Sequence, residues 1–106
     1  MTRITPAMVR SAYSACGRQP ARGLWDDGER CCGEAALYLV AWARRERCGL
    51  AVRHSISQWI AAQHGVDYEL GFRMGWDGLR NDPDWLDDIQ AGYADGRAAA
   101  EAVLGQ

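Results

Sequence analysis

The sequence predicts an all-α fold, with four to five helices packed around a central apolar helix at about residues 32–47 and one long loop toward the N-terminus. Three observations predict it. Apolar residues recur every three to four positions through most of the chain. Those segments are bracketed by residues that cap helices. No run shows the two-residue alternation of a convincing strand. At 106 residues, 48% of them hydrophobic, the chain reads as a single domain spanning residues 1–106.

The first helix is signposted by Thr5 as N-cap and Pro6 at the first helical position. Ile4 and Val9 fall at staple positions. Val9, Ala12, Tyr13 and Cys16 form one apolar stripe, and Gly17 ends the helix. Residues 17–30 read as a loop punctuated by Gly17, Pro20, Gly23 and the Asp26-Asp27-Gly28 turn, with Leu24 and Trp25 pinning it to the core. The second helix, from about Cys32 to Arg47, is apolar on every side between Ala35 and Ala43, as a buried helix requires. Arg44, Arg45 and Arg47 fall in its last turn, where cations suit the helix dipole.

The third helix opens on Ser55-Ile56-Ser57-Gln58, a capping-box pattern. Its core face is Ile56, Trp59 and Ile60, and Gly65 closes it. The fourth starts at Asp67 and carries Tyr68, Phe72, Trp76 and Leu79 on one side. The last begins with Asp82 as cap and Pro83 in the first turn, with a stripe of Trp85, Ile89, Tyr93, Ala100 and Val103. Continuous to Leu104, it would span about 33 Å, with a break at Gly92 as the alternative. Gly71-Phe72-Arg73-Met74-Gly75 recurs as Gly92-Tyr93-Ala94-Asp95-Gly96. A helical glycine costs roughly 1 kcal/mol against alanine, so four of them call for a compensating gain. Glycines four apart line one face and let another backbone approach. The fourth and fifth helices are therefore expected to pack through these glycines; a glycine-floored groove is the alternative.

Charge and composition exclude several functions. The net charge is −2, and all twelve basic residues are arginine. An acidic chain is poorly suited to general nucleic-acid binding, which rests on displaced counterions. The nine-residue run Ala35–Ala43 is far short of the roughly 20 needed to cross a bilayer, and Met1–Met8 lack the apolar core of a secretory signal. A cytoplasmic protein with reduced cysteines is expected.

No reaction centre emerges, and neither catalytic residues nor a cofactor are expected. Cys31, Cys32, Cys48 and His54 are the candidate metal ligands. The close pair is adjacent, so its side chains diverge on a helix and do not aim at one ion. Buried cysteine packs as a small hydrophobe, although a helix N-terminus at Cys31-Cys32 would lower a thiol pKa. Asp82, Asp84, Asp87 and Asp88 suit a helix start and lack the spacing of a calcium loop. Residues 59–66 and the helix after them resemble a helix-turn-helix, but the would-be reading helix offers Asp67, Glu69 and Asp77 against Arg73 and Arg80, the wrong balance for bases and phosphates.

Cys31-Cys32, Gly71-Phe72-x-x-Gly75-Trp76-Asp77-Gly78 and Gly92-Tyr93-x-Asp95-Gly96-x-Ala98-Ala99 together resemble a set of small uncharacterised bacterial and phage-type proteins. The likeness runs from Ile4-Thr5-Pro6 almost to the C-terminus and implies no activity or ligand. The Gly92-Tyr93 segment is also similar to a short stretch of ribosome modulation factor. That family is strongly basic, so ribosome binding does not carry over to an acidic chain.

The expected function is non-catalytic binding to another protein, as a small regulator, adaptor or inhibitor, by a monomer or homodimer without nucleic-acid or membrane partners. Trp, Tyr and Arg dominate interface hot spots, which makes Trp25, Arg44, Arg45, Trp85 and Tyr93 the candidate contact residues. A metal- or thiol-based cysteine module is the alternative, and a helix-turn-helix DNA binder the third reading.

Overall fold

The computed structural model describes residues 3–44 and 53–105. Its helices are α1 (Pro6–Cys16), α2 (Gly33–Arg44), α3 (Arg53–His64), α4 (Val66–Trp76) and α5 (Asp87–Leu104), and between α1 and α2 lie two short strands, β1 (Gln19–Pro20) and β2 (Arg30–Cys31). The architecture is all-α. The helices close a ring in chain order: α1 packs on α2, α2 on α3, α3 on α4, α4 on α5, and α5 returns to α1.

Local chemistry sets the boundaries. At α1 the Thr5 hydroxyl accepts the Met8 N–H, Pro6 opens the first turn, and Gly17 caps the far end at φ 72°, a left-handed conformation that glycine adopts without cost. Ile4 and Val9 are both buried, as a staple requires.

The stretch read as one long loop is more ordered than that. Asp26 accepts the Gly28 N–H, and Asp27 accepts those of Glu29 and Arg30. These side-chain turns reverse the chain, so that Arg30-Cys31 lies parallel to Gln19-Pro20. The Tyr13 hydroxyl donates to the Cys31 carbonyl at 2.6 Å and ties the sheet to α1.

Three further expectations are corrected. Ser55 lies inside α3, which already includes Arg53, so it is not the cap, and the Ser57 hydroxyl donates instead to Glu69 on α4. Leu79 lies beyond the end of α4 and is 51% exposed. Asp82-Pro83 do not open the last helix. Asp82 accepts the Asp84 N–H and the Trp85 N–H in a separate turn, and α5 begins at Asp87, running unbroken through Gly92.

Among the described residues, α4 and α5 share the most extensive helix–helix contact. A Cβ placed on Gly71 would come within 2.1 Å of the Ile89 carbonyl oxygen. One on Gly75 would meet that of Tyr93 at 2.2 Å, one on Gly92 that of Tyr68 at 2.0 Å, and one on Gly96 that of Phe72 at 2.1 Å. The repeated glycines are thus the helix–helix contact, and no groove separates them. Within α2, Ala35, Ala36 and Tyr38 are buried, while Leu37 and residues 39–42 are half-buried and Ala43 is exposed, so the helix is not buried on every side; the core it joins includes Ile4, Val9, Tyr13, Ile56, Ile60, Tyr68, Phe72 and Trp76.

Candidate functional site

One cleft stands out, because it holds the one buried, unpartnered polar side chain among the described residues. It lies where the segment before α2, the first turn of α2 and the end of α4 meet. Gly23, Leu24, Trp25, Cys32, Glu34, Arg73, Trp76 and Asp77 line a space of about 140 Å³.

Its walls are held by hydrogen bonds from three directions. The Trp76 indole donates to the Ala21 carbonyl at 2.8 Å, and Arg22 Nε donates to the Trp76 carbonyl at 3.0 Å. Asp77 accepts the Gly23 N–H at 2.9 Å, and the Cys32 N–H donates to the Trp25 carbonyl. Gly33 lets the Trp76 ring lie against the start of α2; a Cβ there would sit 3.2 Å from the ring.

Glu34 is 2% exposed, and as a carboxylate neither of its oxygens has a hydrogen-bond donor. It sits in the first turn of α2, where the helix dipole favours an anion. Burial outweighs that: desolvation first, and then Glu69, whose charge and whose hydrogen bond to the neutral acid both oppose ionisation, hold its carboxyl well above the usual carboxylate range, with Arg73 opposing. Glu69 is 3% exposed but well partnered. It pairs with Arg73 at 3.1 Å and accepts the Ser57 hydroxyl at 2.8 Å. The Arg73 guanidinium also lies over the Trp25 ring, 5.9 Å from its centroid, a cation–π geometry.

Cys32 sits beside Glu34. Its sulfur takes the Glu34 and Ala35 N–H groups at the helix start, yet burial pushes the thiol up to about 12. Cys31 is fully buried, and burial raises its thiol too. The helix N-terminus therefore does not activate either thiol, because desolvation of the thiolate costs more than the dipole returns. Among the described residues, no three His, Cys, Asp or Glu side chains converge on a possible metal position. Cys48 lies outside the described residues, as does the His54 side chain.

The candidate contact residues separate. Trp25 lines the cleft. Trp85 and Tyr93 lie elsewhere, their rings in a tilted contact with centroids 5.7 Å apart. Tyr93 is 7% exposed and donates its hydroxyl to the Leu79 carbonyl, so it closes the end of the α4–α5 pair. Arg45 and the Arg44 side chain lie outside the described residues. Glu34, Glu69 and Arg73 were not singled out from sequence as a site. The i, i+4 spacing of Glu69 and Arg73 is a readable ion-pair signal, whereas nothing in the sequence marks Glu34 as buried and unpartnered.

As a helix-turn-helix, α3 and α4 are poorly presented. The would-be reading helix buries Tyr68, Gly71, Phe72, Gly75 and Trp76, with α5 against one side and α3 against another. Among the described residues, no helix is long and apolar enough to cross a membrane. Comparison with family models, curated proteins and solved structures finds no match for this chain.

Proposed function

We propose that this chain is a non-catalytic protein-binding module whose contact surface centres on the Trp25–Glu34 cleft. The observation that carries the reading is the Glu34 carboxyl, buried, unpartnered and lining an opening beside a half-buried tryptophan. A buried polar group without a partner costs about 1–3 kcal/mol, and a partner that supplies the missing hydrogen bonds would recover that free energy on binding. Tryptophan and arginine at the rim are the residue types that anchor interfaces. The cleft walls are tied to two helices and a sheet, so little ordering is needed on binding.

The reading goes with a cytoplasmic protein, monomeric or homodimeric, acting on another protein and not on nucleic acid or membrane. The test places a photo-crosslinking residue at Leu24, on the cleft, in the host cell. A discrete adduct that disappears when Trp25→Ala is added, with helical content unchanged, is the expected result. An adduct that survives Trp25→Ala and Glu34→Gln undiminished would contradict the reading.

A further inference from the structure

We infer that the cleft receives a primary ammonium group, the end of a lysine side chain on the partner, seated against Glu34 with the Trp25 indole as a wall. The inference rests on the cleft being the contact surface and adds the chemistry of what enters it.

Four observations converge. Glu34 presents two buried oxygens without a donor, and an ammonium brings three donors and the opposite charge. Arg73 is the single cation among the described lining side chains, and it is engaged by Glu69 at 3.1 Å and by the Trp25 ring. Its placement shows that these walls accept a cation, and its hydrogen bond goes to Glu69 and not to Glu34. Asp77, the other lining carboxylate, accepts the Gly23 N–H. The volume, about 140 Å³, is close to the roughly 150 Å³ that encloses a benzene ring. That admits the compact head and flexible stem of lysine, whose charge is concentrated at one atom and so matches a single buried carboxylate, whereas a guanidinium spreads its charge over a fork. With fewer than three ligand side chains converging among the described residues, an organic cation fits the site better than a metal ion.

Binding should expel a proton. The groups facing Glu34 are Glu69, Arg73 and Asp77 on α4 and Cys32 at the start of its own helix; Gly23, Leu24 and Trp25 of the preceding segment add no titratable group. In the free protein burial and Glu69 hold the Glu34 proton to higher pH than an ordinary glutamate keeps it. An arriving ammonium compensates the charge, so the proton leaves to solvent as the ligand seats. Affinity then tightens with rising pH, by up to about tenfold per unit, until Glu34 ionises without ligand.

The test titrates the full chain with a blocked tripeptide carrying a central lysine, followed through the Trp25 indole N–H by NMR. Saturable shifts are expected, together with proton release in calorimetry across buffers of different ionisation enthalpy. The norleucine tripeptide should give no shift. Glu34→Gln should abolish binding while the other indole signals stay in place, and Trp25→Ala, read at Trp76, should weaken it several-fold. No saturable shift, equal binding of the norleucine peptide, or undiminished binding by Glu34→Gln would overturn the inference. Tighter binding of spermidine would overturn a protein as the source of the ammonium, and the same shifts with calcium or zinc chloride would overturn an ammonium altogether. A Leu24 crosslink without lysine binding sinks this inference and spares the contact reading; the absence of any Leu24 crosslink sinks both.

Discussion

A carboxyl group withdrawn from water with nothing to accept from keeps its proton to higher pH, and Glu34 is in that position. The sign of the stability effect follows. The folded pKa lies above the unfolded one, so the folded state binds more protons between the two values. The Glu34 contribution is therefore most favourable at low pH and is lost as pH rises from the ordinary glutamate range through the raised folded value. Glu34→Gln keeps the shape, cannot ionise, and can offer its amide to Glu69. It should be more stable than wild type by about 1–3 kcal/mol at pH 8, with the difference shrinking toward pH 4 in urea melts. The thiols respond to the same desolvation. With Cys31 and Cys32 buried and their ionisation suppressed, iodoacetamide at pH 8 should leave both unmodified in the native protein and label both in denaturant, as mass mapping would show.

Two helices that share a glycine seam gain from closeness what they lose in propensity. At Gly96 a methyl would stand 2.1 Å from the Phe72 carbonyl oxygen, so backbone has to move to admit it. Alanine favours an isolated helix by about 1 kcal/mol; overpacking costs about 1–3 kcal/mol or more, and rigid backbone on both sides puts this site at the upper end. Gly96→Ala should lower stability by at least about 2 kcal/mol in chemical denaturation, against the gain that propensity alone would give. This seam was legible because Gly-aromatic-x-x-Gly occurs twice at helical spacing. The start of α1 was legible too, since Thr5-Pro6 has a single local use. The start of α5 was not, because Asp82-Pro83 suits a turn as well as a cap, and Asp82 spends its oxygen on the Asp84 N–H. The paired strands are not legible in the sequence, because two residues each carry no periodicity.

Across the whole molecule, the ring of helices is closed by a polar clasp at the N-terminus. Arg3 Nε and an Nη each donate to Asp95 of α5 at 2.8 Å. Asp95 also accepts the Tyr68 hydroxyl from α4, and that oxygen accepts the Ile4 N–H at 2.8 Å. Burial and the Asp95 hydrogen bond both raise the Tyr68 phenol. Tyr68→Phe strands a buried backbone N–H and loosens the clasp, so a loss of about 1–3 kcal/mol is expected, with faster hydrogen exchange at Ile4. The cleft is likewise a product of the whole, since segment 17–32, α2 and α4 are remote in sequence. Each of its residues reads as ordinary alone: Glu34 as dipole-friendly, Glu69 and Arg73 as a surface pair, Trp25 as an anchor. Only the fold shows that they surround one opening and that a carboxyl there has been left without a partner.

The most direct measurement is the titration of the Glu34 side-chain carboxyl carbon by NMR, assigned by comparison with Glu34→Gln. The midpoint is expected well above the glutamate reference of about 4.3, moving down when the lysine peptide is present. A midpoint in the ordinary range, unmoved by the peptide, would contradict it.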